Sequence, residues 1–154
     1  MTSISVSVDV SAPLERTFEV YTDLPRVAER IPGVVTLEVL SDGPFGVGTR
    51  WRETRIMLKK EATEEMWVTA CDAPHSYTVA SESHGMKYST LFSFVVDQNG
   101  TKVTWDFTGS PQTLGTKVLS PLFNLLMKGA MIKLMRRDLE ALRDVCESKE
   151  TVAG

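Results

Sequence analysis

Residues 3 to 10 alternate strictly, with Ile4, Val6, Val8 and Val10 on one face and Ser3, Ser5, Ser7 and Asp9 on the other. That period of two predicts a strand with one buried face. Ser11-Ala12-Pro13 stops it, and Pro13 suits the first turn of a helix, where its missing N–H is not needed. Leu14, Phe18 and Tyr21 then give a short helical stripe ending near Thr22. Asp23 is placed to cap a second short helix over residues 25–30, which Pro32-Gly33 terminates. The period returns to two over Val34–Leu40, Thr49–Leu58, Ala62–Cys71, Tyr77–Ser83, Met86–Val96 and Lys102–Thr108, so six more strands are expected. The turn signals between them are close together and predict consecutive antiparallel hairpins. A linker over Gly109–Thr116 leads to Ser120 as N-cap and Pro121 at the first position of a long helix, PLFNLLMKGAMIKLMRRDLEALRDVCE. That helix has room for about 27 residues, or ~40 Å.

The expected fold class is therefore α+β. A seven-stranded, curved antiparallel sheet wraps a long C-terminal helix, with two short helices between the first and second strands. At 154 residues one domain is expected, spanning residues 1–147 with a frayed tail over 148–154. The composition, 42% hydrophobic and 24% charged, is that of a globular protein able to bury a core without staples. The net charge of −3 argues weakly against nucleic acid as the main partner. No apolar run is long enough to span a membrane. The start MTSISVSVDV has no basic region followed by a continuous apolar run, so no signal peptide is expected. Cys71 and Cys146 share no CxxC or histidine spacing and read as two free thiols of a cytoplasmic protein.

Four stretches carry a family resemblance: VDVSAPLERTFEVYTDL, Val47-Gly48-Thr49-Arg50-Trp51, the hairpin Asn99-Gly100-Thr101-Lys102-Val103-Thr104-Trp105, and the terminal helix. Together with the order of elements, they resemble the helix-grip fold of the START-like and birch-pollen-allergen superfamily, SRPBCC. The match spans nearly the whole chain, and its motifs are structural rather than catalytic. The resemblance implies a hydrophobic cavity between sheet and helix in proteins that bind lipids, polyketides, sterols or other apolar molecules. Some members cyclise or dehydrate polyketides.

Strand alternation nominates the inward faces, on which a one-residue slip would reverse every side chain. On the third strand Trp51, Glu53, Arg55 and Met57 carry more apolar mass than the alternate set. Glu64, Met66 and Val68 share a face on the next strand. Further on, Tyr88, Thr90, Phe92 and Phe94 share one, as do Val103, Trp105 and Phe107. Phe123, Leu126, Met127, Met131 and Leu134 form a stripe at helical spacing. Such stripes are usually plain core. Two features favour a hollow: the flexible thioethers Met127, Met131 and Met135 at i, i+4, i+8, and polar groups on apolar faces, which are costly in a dry core unless paired. The candidate ligand-binding set is Trp51, Met66, Thr90, Phe92, Trp105, Phe107, Phe123, Leu126, Met127 and Met131.

Glu53 and Arg55, two apart on one strand face, form a candidate ion pair, with Tyr88 as acid or hydrogen-bond donor. A carboxylate beside apolar walls is one route to a general base, so Glu53, Arg55 and Tyr88 are the catalytic candidates. A structural or ligand-orienting salt bridge is the commoner role for such a pair. No Ser-His-Asp or Cys-His spacing is present. His75 and His84 sit in turn-like contexts, and Cys71 with His75 across a proline turn makes no metal site. No cofactor is expected. Gly46 and Gly48 lack the ending and helix of a phosphate loop. Gly129 inside the long helix marks either a close approach to the sheet or bend, or ordinary tolerance. From Lys117 to Arg137 the chain carries basic residues and no acidic ones, with Lys128, Lys133 and Arg136 between. That asymmetry leaves two readings open: a solvated face, or peripheral contact with an anionic membrane.

Three functions remain in play. One is binding or transport of a hydrophobic small molecule, lipid, polyketide or aromatic. Another is a polyketide cyclase/dehydratase-like enzyme using the same cavity, and the last a membrane- or partner-interaction module. Oligomeric state is left open.

Overall fold

The first strand of the molecule lies not beside the second but beside the last, so the first and second strands form the two edges of one sheet. The computed structural model describes residues 2–57, 59–83, 85–111 and 121–148; the side chains of residues 2, 57, 111 and 121–127 fall outside that description. The chain runs β1 (Thr2–Val10), α1 (Leu14–Tyr21), a single 3-10 turn (Leu24–Arg26), α2 (Val27–Arg30), β2 (Val34–Val39), β3 (Arg50–Met57), β4 (Lys60–Asp72), β5 (Ser76–Ser83), β6 (Met86–Asp97), β7 (Gly100–Pro111) and α3 (Pro121–Glu147). The sheet order is β1-β7-β6-β5-β4-β3-β2, with every neighbouring pair antiparallel. This is the helix-grip arrangement: a curved seven-stranded sheet against a long C-terminal helix.

Period-two patterning decides which face is covered. In β1, Ile4, Val6 and Val10 are buried, and in β7 Val103 is wholly buried. Register pins the hairpins, with Val6 opposite Trp105 and Phe92 opposite Trp105 from the other side. The β6–β7 turn passes close under the end of β1. A Cβ at Gly100 would fall 2.1 Å from the Val10 carbonyl oxygen, and φ there is +152°, so only glycine fits. Thr101, fully buried, donates its hydroxyl to the Ala12 carbonyl at 2.9 Å and ties the same turn to the start of α1.

Some local expectations shift. The stretch Gly109–Pro111 continues β7 rather than opening a linker, because Tyr88 pairs with Gly109 and Met86 with Pro111. The rest of that linker and Ser120 lie outside the described residues. Pro13 occupies the N-cap position one residue before α1. Asp23 does not cap the following turn through its side chain. Its carboxylate instead accepts from Arg30 at 3.0 Å, a buried pair that clips the 3-10 turn to α2. In β2 a bulge between Val34 and Thr36 resets the alternation. Val34 and Leu37 therefore both face inward, while Val35 and Val39 are exposed.

The C-terminal half of α3 is fastened from one side. Arg16 donates to the carbonyls of Val145, Cys146 and Ser148, and Ser11 N–H donates to the Glu147 carboxylate at 2.8 Å. A guanidinium at a helix C-terminus satisfies orphan carbonyls and complements the helix dipole. Met135, Leu139, Leu142 and Cys146 form the buried stripe of this half, packed with Phe18, Tyr21, Phe94 and Val103. The Tyr21 hydroxyl donates to the Leu139 carbonyl at 2.8 Å, joining α1 to the middle of α3. Cys71 and Cys146 are both free, and burial raises the Cys146 thiol to about 12, so it is inert.

Candidate functional site

Beside this packed stripe the sheet and α3 separate, leaving a cavity of about 410 Å³. Its size falls in the range of small-molecule sites. Walls come from six strands, β2 to β7, from Tyr21, Leu24, Val27 and Ile31 around the short helices, and from Met131, Leu134, Asp138, Leu139 and Leu142 of α3.

Much of the apolar lining is a strip of rings. Phe45, from the loop between β2 and β3, meets Tyr77 edge-on at 4.9 Å between centroids. Tyr77 stacks on Phe92 at 5.0 Å, and Phe92 lies against Trp105 at 4.9 Å. Tyr88 stacks on Phe107 nearby, at 5.6 Å. Such pairs hold one another in place beyond what area burial gives, so the strip is a rigid apolar wall.

The polar end of the cavity is a three-membered ion cluster. On β3, Arg55 Nε donates to Glu53 Oε2 at 2.9 Å. Arg55 Nη1 donates to Asp138 Oδ2 of α3, also at 2.9 Å, linking sheet to helix across 83 positions of sequence. All three side chains are well covered, at 14% exposure for Arg55, 9% for Glu53 and 3% for Asp138. Burial opposes the charge on Arg55, but the two carboxylates outweigh it and raise its pKa. Burial dominates at Asp138 and raises its carboxyl above the ordinary 3.8, against the lowering pull of Arg55. Asp138 Oδ1 is buried without a hydrogen bond to any described residue; Arg137 Nη2 is 3.6 Å away, close enough for charge attraction only. Tyr88 is raised by burial and then by the nearby carboxylate of Glu64, so its phenol stays protonated and able to donate.

Of the residues nominated from sequence, Trp51, Glu53, Arg55, Met66, Tyr88, Thr90, Phe92, Trp105, Phe107 and Met131 all lie in this lining. The side chains of Phe123, Leu126 and Met127 lie outside the described part of the structure. The methionine row divides, since Met131 lines the cavity while Met135 is fully buried in the packed half. Gly129 has open space where a Cβ would stand, so no close approach to the sheet explains it. Lys128, Lys133, Arg136 and Arg137 are exposed, whereas Lys117 and His84 lie outside the described residues, and His75 is exposed. No cluster able to hold a metal ion occurs among the described residues.

Asp138, Phe45 and Tyr77 are among the lining residues that sequence reasoning missed. Asp138 had a signal: it stands seven after Met131 and one before Leu139, an acid inside an apolar stripe. Phe45 had less, a lone aromatic in the turn-like run SDGPFGVG, whose inward fold only the tertiary structure reveals.

Fold and cavity together define the class: a helix-grip protein with a closed sheet-to-helix grip and an internal, largely apolar chamber. The family described as "Polyketide cyclase / dehydrase and lipid transport" matches residues 1–147. The chain belongs to that family, within the START-like SRPBCC superfamily. Among solved structures, it is similar to the di-domain ARO/CYC BexL from the BE-7585A biosynthetic pathway, with TM-score 0.81 and 18% identity over 97% of this chain. That match covers 51% of BexL, so the chain spans about half the length of the di-domain protein. It is also similar to the Zhui aromatase/cyclase from Streptomyces sp. R1128, with TM-score 0.75 and 16% identity over 95% of this chain and 93% of that one. A START superfamily protein from Mycobacterium smegmatis gives TM-score 0.75 and 16% identity, covering 94% and 97% of the two chains. Identities this low carry the fold alone. No curated protein matches the chain. Among the described residues, no helix is long and apolar enough to cross a membrane.

Proposed function

We propose that this protein binds a hydrophobic small molecule in the cavity between sheet and α3. The observation that carries the reading is the chamber itself, about 410 Å³, walled by aromatic and aliphatic side chains with one charged cluster at its edge. An apolar pocket with a few convergent polar groups is the arrangement by which proteins hold and orient small apolar ligands. Trp51, Met66, Thr90, Phe92, Trp105, Phe107 and Met131 are the proposed contacts, and a flexible thioether at Met131 suits a variable ligand outline. Gently purified protein should carry, or take up, one equivalent of an apolar or aromatic compound in native mass spectrometry. A protein that binds no member of a lipid and aromatic panel would rule this out.

The ion cluster supports a second reading, catalysis of the cyclase or dehydrase type. Glu53 would take a proton, with Arg55 steadying the developing oxyanion through Nη2 and the Tyr88 phenol donating. This deepens the binding reading and needs a polyketide-like substrate. Glu53→Gln and Tyr88→Phe should then each lower turnover at least about a hundredfold while still binding the substrate. Unchanged turnover in both would leave binding as the sole function of the site.

A further inference from the structure

We propose that the ligand of this cavity carries no negative charge and presents hydrogen-bond donors, hydroxyl or amine, at its polar end, so that carboxylate amphiphiles such as fatty acids are rejected. The proposal rests on the cavity-binding reading and adds the chemical class of the occupant.

Four charged residues line the cavity among those described: Glu53, Glu64 and Asp138 against Arg55, a formal balance of minus two. Arg55 is the one described cation of the wall, and its binding capacity is largely taken. Nε holds Glu53 and Nη1 holds Asp138, both at 2.9 Å. A ligand carboxylate would have to displace one of these. Each is a covered side chain, and a covered carboxylate stripped of its partner is strongly unfavourable. The remaining Nη2 can serve a neutral carbonyl. A carboxylate placed there would meet two resident carboxylates in a low-dielectric wall, where like charges repel far more than in water.

Geometry adds a third acid to the same face. Glu53 and Glu64 are direct cross-strand partners on β3 and β4, so their side chains leave the sheet side by side. Acceptors consequently outnumber donors at this end. Asp138 Oδ1 is buried with no hydrogen bond to a described residue. A ligand hydroxyl or ammonium would be matched to these oxygens. Its apolar body would lie on the Tyr77–Phe92–Trp105 strip, whose ring faces also favour a cation.

Displacement of bound aminoanthracene, followed by its fluorescence at neutral pH, tests this with three matched ligands: naphthol, naphthylmethylamine and naphthoate. Naphthol and naphthylmethylamine should compete with dissociation constants at least about tenfold below that of naphthoate. Glu64→Gln, outside the ion cluster, should narrow the gap between naphthylmethylamine and naphthoate several-fold, with each dissociation constant corrected for the dye affinity measured on the same variant. Naphthoate competing as well as naphthol, or naphthol failing to compete against bound dye, overturns the inference and leaves the cavity reading standing. Failure of the dye and all three ligands to bind, checked by native mass spectrometry, overturns both.

Discussion

Replacing Arg55 by methionine should lower stability at neutral pH by about 3–5 kcal/mol, the range seen when one partner of a buried ion cluster is removed. For a chain of this length that corresponds to a fall in Tm on the order of 10 °C. Methionine keeps much of the packing volume but leaves Glu53 and Asp138 facing each other without the guanidinium that separates them. The loss should be pH-dependent, with a definite sign. Burial already lifts Asp138 above its ordinary 3.8 in the presence of Arg55, so the folded state holds this proton more tightly than the unfolded chain does. Stability linked to that proton is gained as pH falls through the raised pKa and lost as pH rises. Without Arg55 the lowering influence disappears, and the effect should grow. Thermal melts from pH 8 to pH 5 should show the variant recovering much of its deficit while the parent changes little. The combined variant Glu53→Gln, Arg55→Met, Asp138→Leu should regain most of the stability, since an apolar replacement of a whole buried cluster is often neutral. An Arg55→Met protein as stable as its parent at neutral pH would mean that solvent screens the cluster.

The reach of the sequence is set by the range of the interactions concerned. Strand faces were legible because burial on one side enforces period-two alternation. Trp51, Glu53 and Arg55 face the cavity while Arg50, Arg52 and Ile56 do not. Glu53 and Arg55 could be paired on paper because both stand on one strand. Asp138 could not, since its partnership with Arg55 depends on how α3 crosses the sheet, and no local pattern encodes that angle. The bulge at Val34–Thr36 escaped for a related reason: Val35, Leu37 and Val39 read as simple alternation until pairing with β3 shows the slip. Asp23 misled in the opposite direction. Its position before Pro25 carries a capping signal, and a partner seven residues on, Arg30, outcompetes the backbone for its carboxylate. Phe45 folds inward from a turn-rich loop because Phe18 and Tyr77 offer ring edges and faces there. Helix periodicity told which side of α3 is greasy, but not where packing ends and the chamber begins. Met131 lines the chamber and Met135, one turn on, is fully buried, while Leu139 and Leu142 beyond it line the chamber again.

Filling the chamber should separate ligand binding from folding. Ser81 lies on β5 opposite Met66 on one side and Tyr88 on the other, and its side chain is part of the cavity wall. In Ser81→Phe the new ring would project into the space between sheet and α3, beside Met66 and Tyr88. A ligand that uses the aromatic strip and the ion cluster together would then lose room at the middle of its path. The expected result is a dissociation constant for bound aminoanthracene raised about a hundredfold, or about 2.8 kcal/mol at about 1.4 kcal/mol per factor of ten. Thermal stability should hold within a few degrees or rise, because the ring covers apolar surface that is otherwise unpacked. Leu91→Phe supplies the control. Leu91 sits on the outer face of the same sheet, 37% exposed, so an added ring there should leave dye binding unchanged. Titrations of the three proteins decide the matter together with their melting curves. A Ser81→Phe protein that stays folded and binds as tightly as its parent would place the ligand elsewhere on the molecule. One that loses binding at unchanged stability would locate it between β5 and α3, with Arg55 and Asp138 within reach of its polar end.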